Sequence, residues 1–234
     1  MTDLEGRLAR VRDTIDEAAR RSGREPDEIT LVAVSKSFPV ESILEAAAAG
    51  VTDFGENKAQ EFVKKVDAMS ELEAIRWHFV GHLQRNKARL VVGRADLFHG
   101  LDSPRLGRAI QSAEERGGAA LDCLIQVNIS SEETKFGIEP ADLPRLADEL
   151  SEAKGPKIRG LMTLASPDRD QKVIRSEFRR MRQLCDSLSN YGHEDAGILS
   201  MGMSGDFEIA IEEGATHVRI GTAIFGRRSL VKPG

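Results

Sequence analysis

The sequence predicts a single α/β barrel of eight strands, a (β/α)8 fold of the TIM type, over residues 1–234. Three observations carry this. Eight short β-rich runs alternate with helical patterns, and such alternation implies parallel strands joined by right-handed crossovers. Their number suits closure into a barrel. No glycine-rich fingerprint follows the first run, which disfavours an open doubly wound sheet. The runs lie near 29–36, 53–56, 76–81, 96–101, 121–129, 157–164, 198–202 and 217–225.

The elements follow in order. Leu4, Leu8, Val11 and Ile15 mark one face of an opening helix. The first strand run, "LVAVSK", leads to Val40, Ile43, Leu44 and Ala47, a one-sided helix closed by Gly50. After the second run, Ala59, Phe62, Val63 and Val66 keep the same spacing. Later helices carry Leu143, Leu146, Ala147 and Leu150, then Ile174, Phe178, Met181, Leu184 and Leu188. All repeat at the i, i+3, i+4, i+7 interval of an amphipathic helix. Ser204 reads as the N-cap of a last helix with Phe207, Ala210 and Ile211 inside and Gly214 at its end. Glu212 and Glu213 read as its surface charge, and the basic run "LQRNKAR" (83–89) as a solvated helix face. No repeat, low-complexity stretch or linker divides the chain.

Composition narrows the function. Net charge is −5, so the chain offers no basic face for nucleic acid. No run approaches 18 apolar residues and the N-terminus has no signal-peptide core, so neither a membrane partner nor secretion is expected. Cys123 and Cys185 form no CxxC pair and read as buried free thiols in a cytoplasmic protein. The five histidines include no HExxH or HxH pattern, so no metal is expected. His99 reads as a hydrogen-bonding group inside the barrel and Trp77 as core.

In such barrels the chemistry sits at the C-terminal ends of the strands. Lys36 is the first residue there. It shares a strand face with Val32 and Val34 and emerges at the mouth, where desolvation disfavours the ammonium and frees the amine as a nucleophile. Such a lysine forms Schiff bases with carbonyl compounds; the plainer reading is an ion pair with a carboxylate such as Glu56. The segments after strands seven and eight place Ser200, Gly221 and Thr222 where many barrels bind phosphate. Lysine and phosphate seat together suggest pyridoxal 5′-phosphate (PLP). Arg219 shares a face with His217 and Gly221. It either meets the pyridine nitrogen or makes an ion pair inside the barrel.

"LVAVSK", "DFGENKAQE", "WHFVGHLQRNK", "KFGI", "LSMGMSGDFEIAIEEG" and "VRIGTAIFGRR", in that order, resemble the pyridoxal phosphate homeostasis protein family, from about residue 4 to 228. The family is similar to the barrel domains of alanine racemase and eukaryotic-type ornithine decarboxylase. The resemblance implies that Lys36 holds PLP as a Schiff base. It implies that Ser200, Gly221 and Thr222 hold the phosphate, that Arg219 faces the pyridine nitrogen, and that Asn57 lies beside the ring. His82 and Met201 would be walls.

Racemisation needs an acid–base group on each face of the intermediate. In alanine racemase the second is a tyrosine from a separate domain; the one tyrosine here, Tyr191, precedes strand seven. The expectation is therefore a monomeric PLP carrier with no catalytic residue of its own, acting in vitamin B6 and amino-acid homeostasis and passing PLP to apoenzymes. A weak racemase and a class I aldolase are the other readings. Lys135 reads as a loop lysine, with a second aldehyde site as the alternative.

Overall fold

The computed structural model describes residues 2–117, 119–130, 132, 136–152, 156–166 and 170–226. Within these, α1 (Asp3–Arg21) precedes β1 (Thr30–Val34), α2 (Val40–Ala48), β2 (Asp53–Glu56) and α3 (Ala59–Ala68). Then come β3 (Arg76–Phe79), α4 (Ala88–Val91), β4 (Leu97–Leu101), α5 (Pro104–Gly117) and β5 (Asp122–Gln126). The chain continues through α6 (Leu143–Glu152), β6 (Lys157–Met162), α7 (Gln171–Asp186) and β7 (Ile198–Ser200). It ends with α8 (Phe207–Glu212), β8 (His217–Ile220) and α9 (Thr222–Phe225). The strands pair in sequence order, all parallel, and β1 closes on β8. This is the expected eight-stranded barrel ringed by helices.

The helices form where apolar spacing demands them. On α1 the residues Leu4, Leu8, Val11 and Ile15 are buried, and a reciprocal cap between Thr2 and Glu5 satisfies its first amides. It packs against α8 and α9 on one side and α2 on the other, and so covers the seam where β8 meets β1. Its Arg7 donates to the Ile224 carbonyl at 2.7 Å, and its Arg12 to those of Ala49 and Gly50. On α3 the ring of Phe62 stands edge-on to Trp77 and Phe79, with centroids 6.2 and 5.6 Å away, which fixes α3 on β3. Trp77 is core, as expected.

The main apolar core lies between strands and helices. A second, small cluster of Leu97, Leu124 and Met162 is separate from it. Leu97 lies two residues from His99, so it points to the same side of β4, the barrel interior. Cys123 and Cys185 are free and buried, and burial pushes both thiols up, Cys185 to about 11. No helix among the described residues is long and apolar enough to cross a membrane.

Four expectations need correction. The eighth strand stops at Ile220, because the Gly221 carbonyl accepts from Ile224 and Phe225 and turns "TAIF" into α9. The first strand stops at Val34, and Lys36 lies in the following turn. Ser204 is not a helix cap: Asp206 takes the Met203 amide at 2.5 Å and itself precedes α8. Glu213 is buried and bound by Arg175 and Arg179, while Glu212 pairs with Arg175 and Arg21, so this end of α8 is an anchor to α1 and α7. The basic run at 83–89 forms a 3-10 turn at Arg85–Lys87 that leads into α4.

Candidate functional site

The site begins at a turn. After β1, the Phe38 amide donates to the Ser35 carbonyl at 3.0 Å and brackets Lys36 and Ser37. Ser37 has φ of 67°, the left-handed value the third position of a type II turn requires. Glycine is the usual occupant, and a serine costs about 1 kcal/mol there. Among the described residues it is the one non-glycine with positive φ. Strain of this kind persists where neighbours over-determine it.

Those neighbours are charged. Lys65 of α3, almost wholly buried, donates to the Ser35 carbonyl at 2.9 Å, to Glu56 Oε1 at 2.6 Å and to Glu61 Oε1 at 2.8 Å. Glu61 Oε1 also accepts the Ser37 amide at 2.6 Å, and Glu56 Oε1 the Ser35 hydroxyl at 2.7 Å. Burial raises the Glu56 carboxyl above the usual range despite its hydrogen bonds from Lys65 and Ser35. Burial also pushes Glu61 up, but the donors Lys65 and Ser37 prevail and leave it lowered. Glu56 is thus paired with Lys65. Lys36 itself is half-buried.

Asn57 lies next to this turn, since β2 pairs with β1 up to Val34 opposite Gly55. Its Oδ1 is buried without a hydrogen-bond partner. Native interiors rarely leave an acceptor so, and a ligand donor is one explanation. Gly81 presses on the same residue: a Cβ there would sit 2.2 Å from the Asn57 carbonyl oxygen, so no side chain fits.

Across the seam, Gly221 and Thr222 follow β8. Ala33 pairs with Ile220, so Gly221 passes close to Val34; a Cβ on it would meet the Val34 carbonyl oxygen at 3.1 Å. Thr222 is exposed at the start of α9. The exposed Ser204 hydroxyl accepts the Ala223 amide at 3.4 Å and so joins this group. Sequence reasoning missed that role. The available signal was a hydroxyl in the glycine-flanked loop after strand seven.

Beneath the mouth runs a column of buried polar groups. Arg219 donates to Ser200 Oγ at 2.5 Å and to the Thr163 carbonyl at 2.7 Å. Ser200 Oγ lies 2.9 Å from His99 Nδ1, and His99 Nε2 lies 2.9 Å from His78 Nδ1. His78 Nε2 lies 3.0 Å from Asp53 Oδ1, and Asp53 receives Arg76 through both carboxylate oxygens. With neutral imidazoles one proton order satisfies every contact. Asp53 only accepts, so His78 donates to it; His99 then donates to His78, Ser200 to His99, and Arg219 to Ser200. Burial holds His99 well below the ordinary histidine range, with His78 and Arg219 adding to the effect. Burial lowers the neighbouring His217 to about 3. It lowers Arg219 to about 10, still charged at neutral pH. The place expected for His99 inside the barrel is confirmed.

The structure therefore brings Lys36, Asn57, Gly221 and Thr222 to neighbouring strand ends, with Arg219 and Ser200 buried below. Met201 is fully buried beside Ser200. His82 stands on the rim, stacked on Phe136 with centroids 4.1 Å apart and 3.5 Å from Asp102. Lys135 lies outside the described residues.

Residues 7–229 match the family model described as alanine racemase, N-terminal domain. A pyridoxal phosphate homeostasis protein of Escherichia coli (strain K12) is 43% identical over 99% of this chain and 100% of its own. One from Aquifex aeolicus (strain VF5) is 42% identical over 95% and 97%. Among solved structures, PipY of Synechococcus elongatus PCC7942 with PLP bound is 33% identical, covers 96% of this chain and 100% of its own, and superposes with a TM-score of 0.83. By these similarities the chain belongs to the pyridoxal phosphate homeostasis protein family.

Proposed function

We propose that this member of the family is a PLP carrier, which holds the cofactor reversibly at the barrel mouth and serves PLP and amino-acid homeostasis. One observation carries the reading. The Lys36 turn and the hydroxyl–glycine group of Ser204, Gly221 and Thr222 face one another across the β1–β8 seam, with the orphaned Asn57 acceptor beside them.

PLP brings an aldehyde and a phosphate. The amine of Lys36 would hold the aldehyde as a Schiff base. Ser204, Gly221 and Thr222 would seat the phosphate. Ser200, expected at the phosphate, has its hydroxyl engaged by His99 and Arg219, so in this reading it would aim Arg219 instead. Arg219 would face the pyridine nitrogen. It is too weak an acid to give up a proton there, so the electron sink stays shallow. Asn57 would offer its free acceptor beside the ring, with Met201 and His82 as walls.

A carrier rather than a racemase is favoured by Tyr191. It closes a 3-10 turn that leads into β7, at the N-terminal end of the barrel, away from the mouth. A second acid–base group from tyrosine is therefore remote. We place the protein in the cytoplasm as a monomer, with PLP-dependent apoenzymes as recipients.

The test is borohydride reduction of the PLP-loaded protein followed by peptide mass spectrometry, which is expected to find the label on Lys36. In Lys36→Ala the visible absorbance of the Schiff base disappears, while pyridoxine 5′-phosphate, which lacks the aldehyde, still binds. Colour that survives this substitution unchanged sinks the assignment. Loss of α-deuterium from added amino acids at a useful rate would favour the racemase instead.

A further inference from the structure

A lysine nucleophile is only as well placed as the backbone that carries it, and the turn bearing Lys36 is held from behind by a second lysine. Lys65 contacts the chain on both sides of Lys36. It binds the Ser35 carbonyl directly at 2.9 Å, and it binds Glu61, whose same oxygen takes the Ser37 amide at 2.6 Å. The third Lys65 donor goes to Glu56, which also fixes the Ser35 hydroxyl. All three ammonium protons are thereby spent on the turn and its two carboxylates. The aromatic contacts of Phe62 with Trp77 and Phe79 place the helix so that Lys65, three residues on, reaches this spot.

This arrangement explains two features that local preference does not. A buried lysine on the apolar face of α3 is costly unless paired, and a left-handed serine is strained. Each offsets the other, since the Lys65–Glu61 bridge supplies the acceptor that keeps Ser37 in its turn.

We infer that Lys65 is a positioning residue for Lys36: the Lys65–Glu56–Glu61 cluster clamps residues 35–37 in a strained turn and so presents the Lys36 amine to an incoming aldehyde. The inference rests on the carrier reading above. Preorganising a binding group raises affinity by lowering the ordering cost at binding. The clamp acts on the amine and not on the phosphate seat, so the two halves of the ligand should respond differently.

The experiment compares the full-length protein with Lys65→Met and, because that variant leaves two carboxylates unpaired and can misfold, with the milder Glu61→Gln. Three readouts are taken: PLP affinity from visible absorbance, affinity for pyridoxine 5′-phosphate, and hydrogen exchange at the Ser37 amide without ligand. The expected result is a loss of PLP affinity of about tenfold in Lys65→Met and about threefold in Glu61→Gln, from the lost preorganisation. Pyridoxine 5′-phosphate should stay within about twofold of wild type, because its seat is untouched. Exchange at Ser37 should accelerate in both. Wild-type PLP affinity in a folded variant, or equal losses for both ligands, overturns the inference. A wild-type label found away from Lys36 instead overturns the carrier reading, and is seen before any variant is made.

Discussion

The column inside the barrel and the mouth above it are built from the same kinds of residue but are finished to different degrees. In the column, from Asp53 through His78, His99 and Ser200 to Arg219, each contact has a donor and an acceptor. At the mouth, Asn57 Oδ1 is buried with no partner and Ser37 sits in a strained conformation. A closed polar network acts as scaffold, whereas a region that leaves an acceptor open and stores strain is waiting for something to complete it. The difference separates the lower column, from Asp53 to His99, which holds the barrel together, from the rim and the Arg219 above it, to which the proposed ligand is assigned.

The sharpest way to break this comparison is Asp53→Ala. It strips the partner from His78 and from Arg76, and removing one side of a buried pair costs about 3 kcal/mol. Urea unfolding should show that loss, with pyridoxine 5′-phosphate affinity changed by less than about twofold. A large loss of affinity at full stability would mean that the lower column, from Asp53 to His99, also belongs to the site.

Acid should separate the two regions next. His99 and His217 are held below their unfolded value, so the unfolded chain takes up protons that the barrel refuses. Their contribution is present above about pH 6.5 and falls by at most about 1.4 kcal/mol per pH unit for each histidine below it. Asp53, also lowered, adds a loss of the same sign below about pH 4. Glu56 works the other way: its raised carboxyl makes a contribution that is full below about pH 4.3 and is lost as pH rises. Two histidines outweigh one carboxyl between pH 7 and 5, so urea midpoints should drop over that interval. A rise would show the Lys65 cluster to be dominant.

The smallest effect is expected at Asn57. Asn57→Leu keeps the side-chain size and removes the unpaired acceptor, so the unliganded protein should gain about 1 kcal/mol. PLP should bind about tenfold more weakly, as a lost ring contact of about 1.4 kcal/mol implies. Thermal melts with and without PLP measure both. A variant that loses stability as well would place Asn57 with the scaffold.

The barrel was legible because strand and helix periods alternate plainly, and all eight strand runs were located by apolar content and spacing. The eighth overran its end because "TAIF" is as apolar as a strand, and only the hydrogen bonds to Gly221 turn it. Lys36, Gly221 and Thr222 could be read as strand-end residues. Lys65 could not, since a lysine among Phe62, Val63 and Val66 reads as a charged neighbour of the stripe until tertiary contacts show it buried. Of the column, His99 and Arg219 could be read as lying inside the barrel, but the run of contacts that joins them through Ser200, His78 and Asp53 could not. Polar residues on alternate strand positions look solvent-facing, and the barrel interior is the one place where that pattern misleads.

The pairing of β1 with β8 has a bearing on when the protein can bind. The Lys36 turn and residues 221–222 lie far apart in sequence and become neighbours only where β1 pairs with β8. A seat proposed to take an aldehyde from one and a phosphate from the other would therefore exist only once the ring has closed, so vitamin capture would report on the finished barrel.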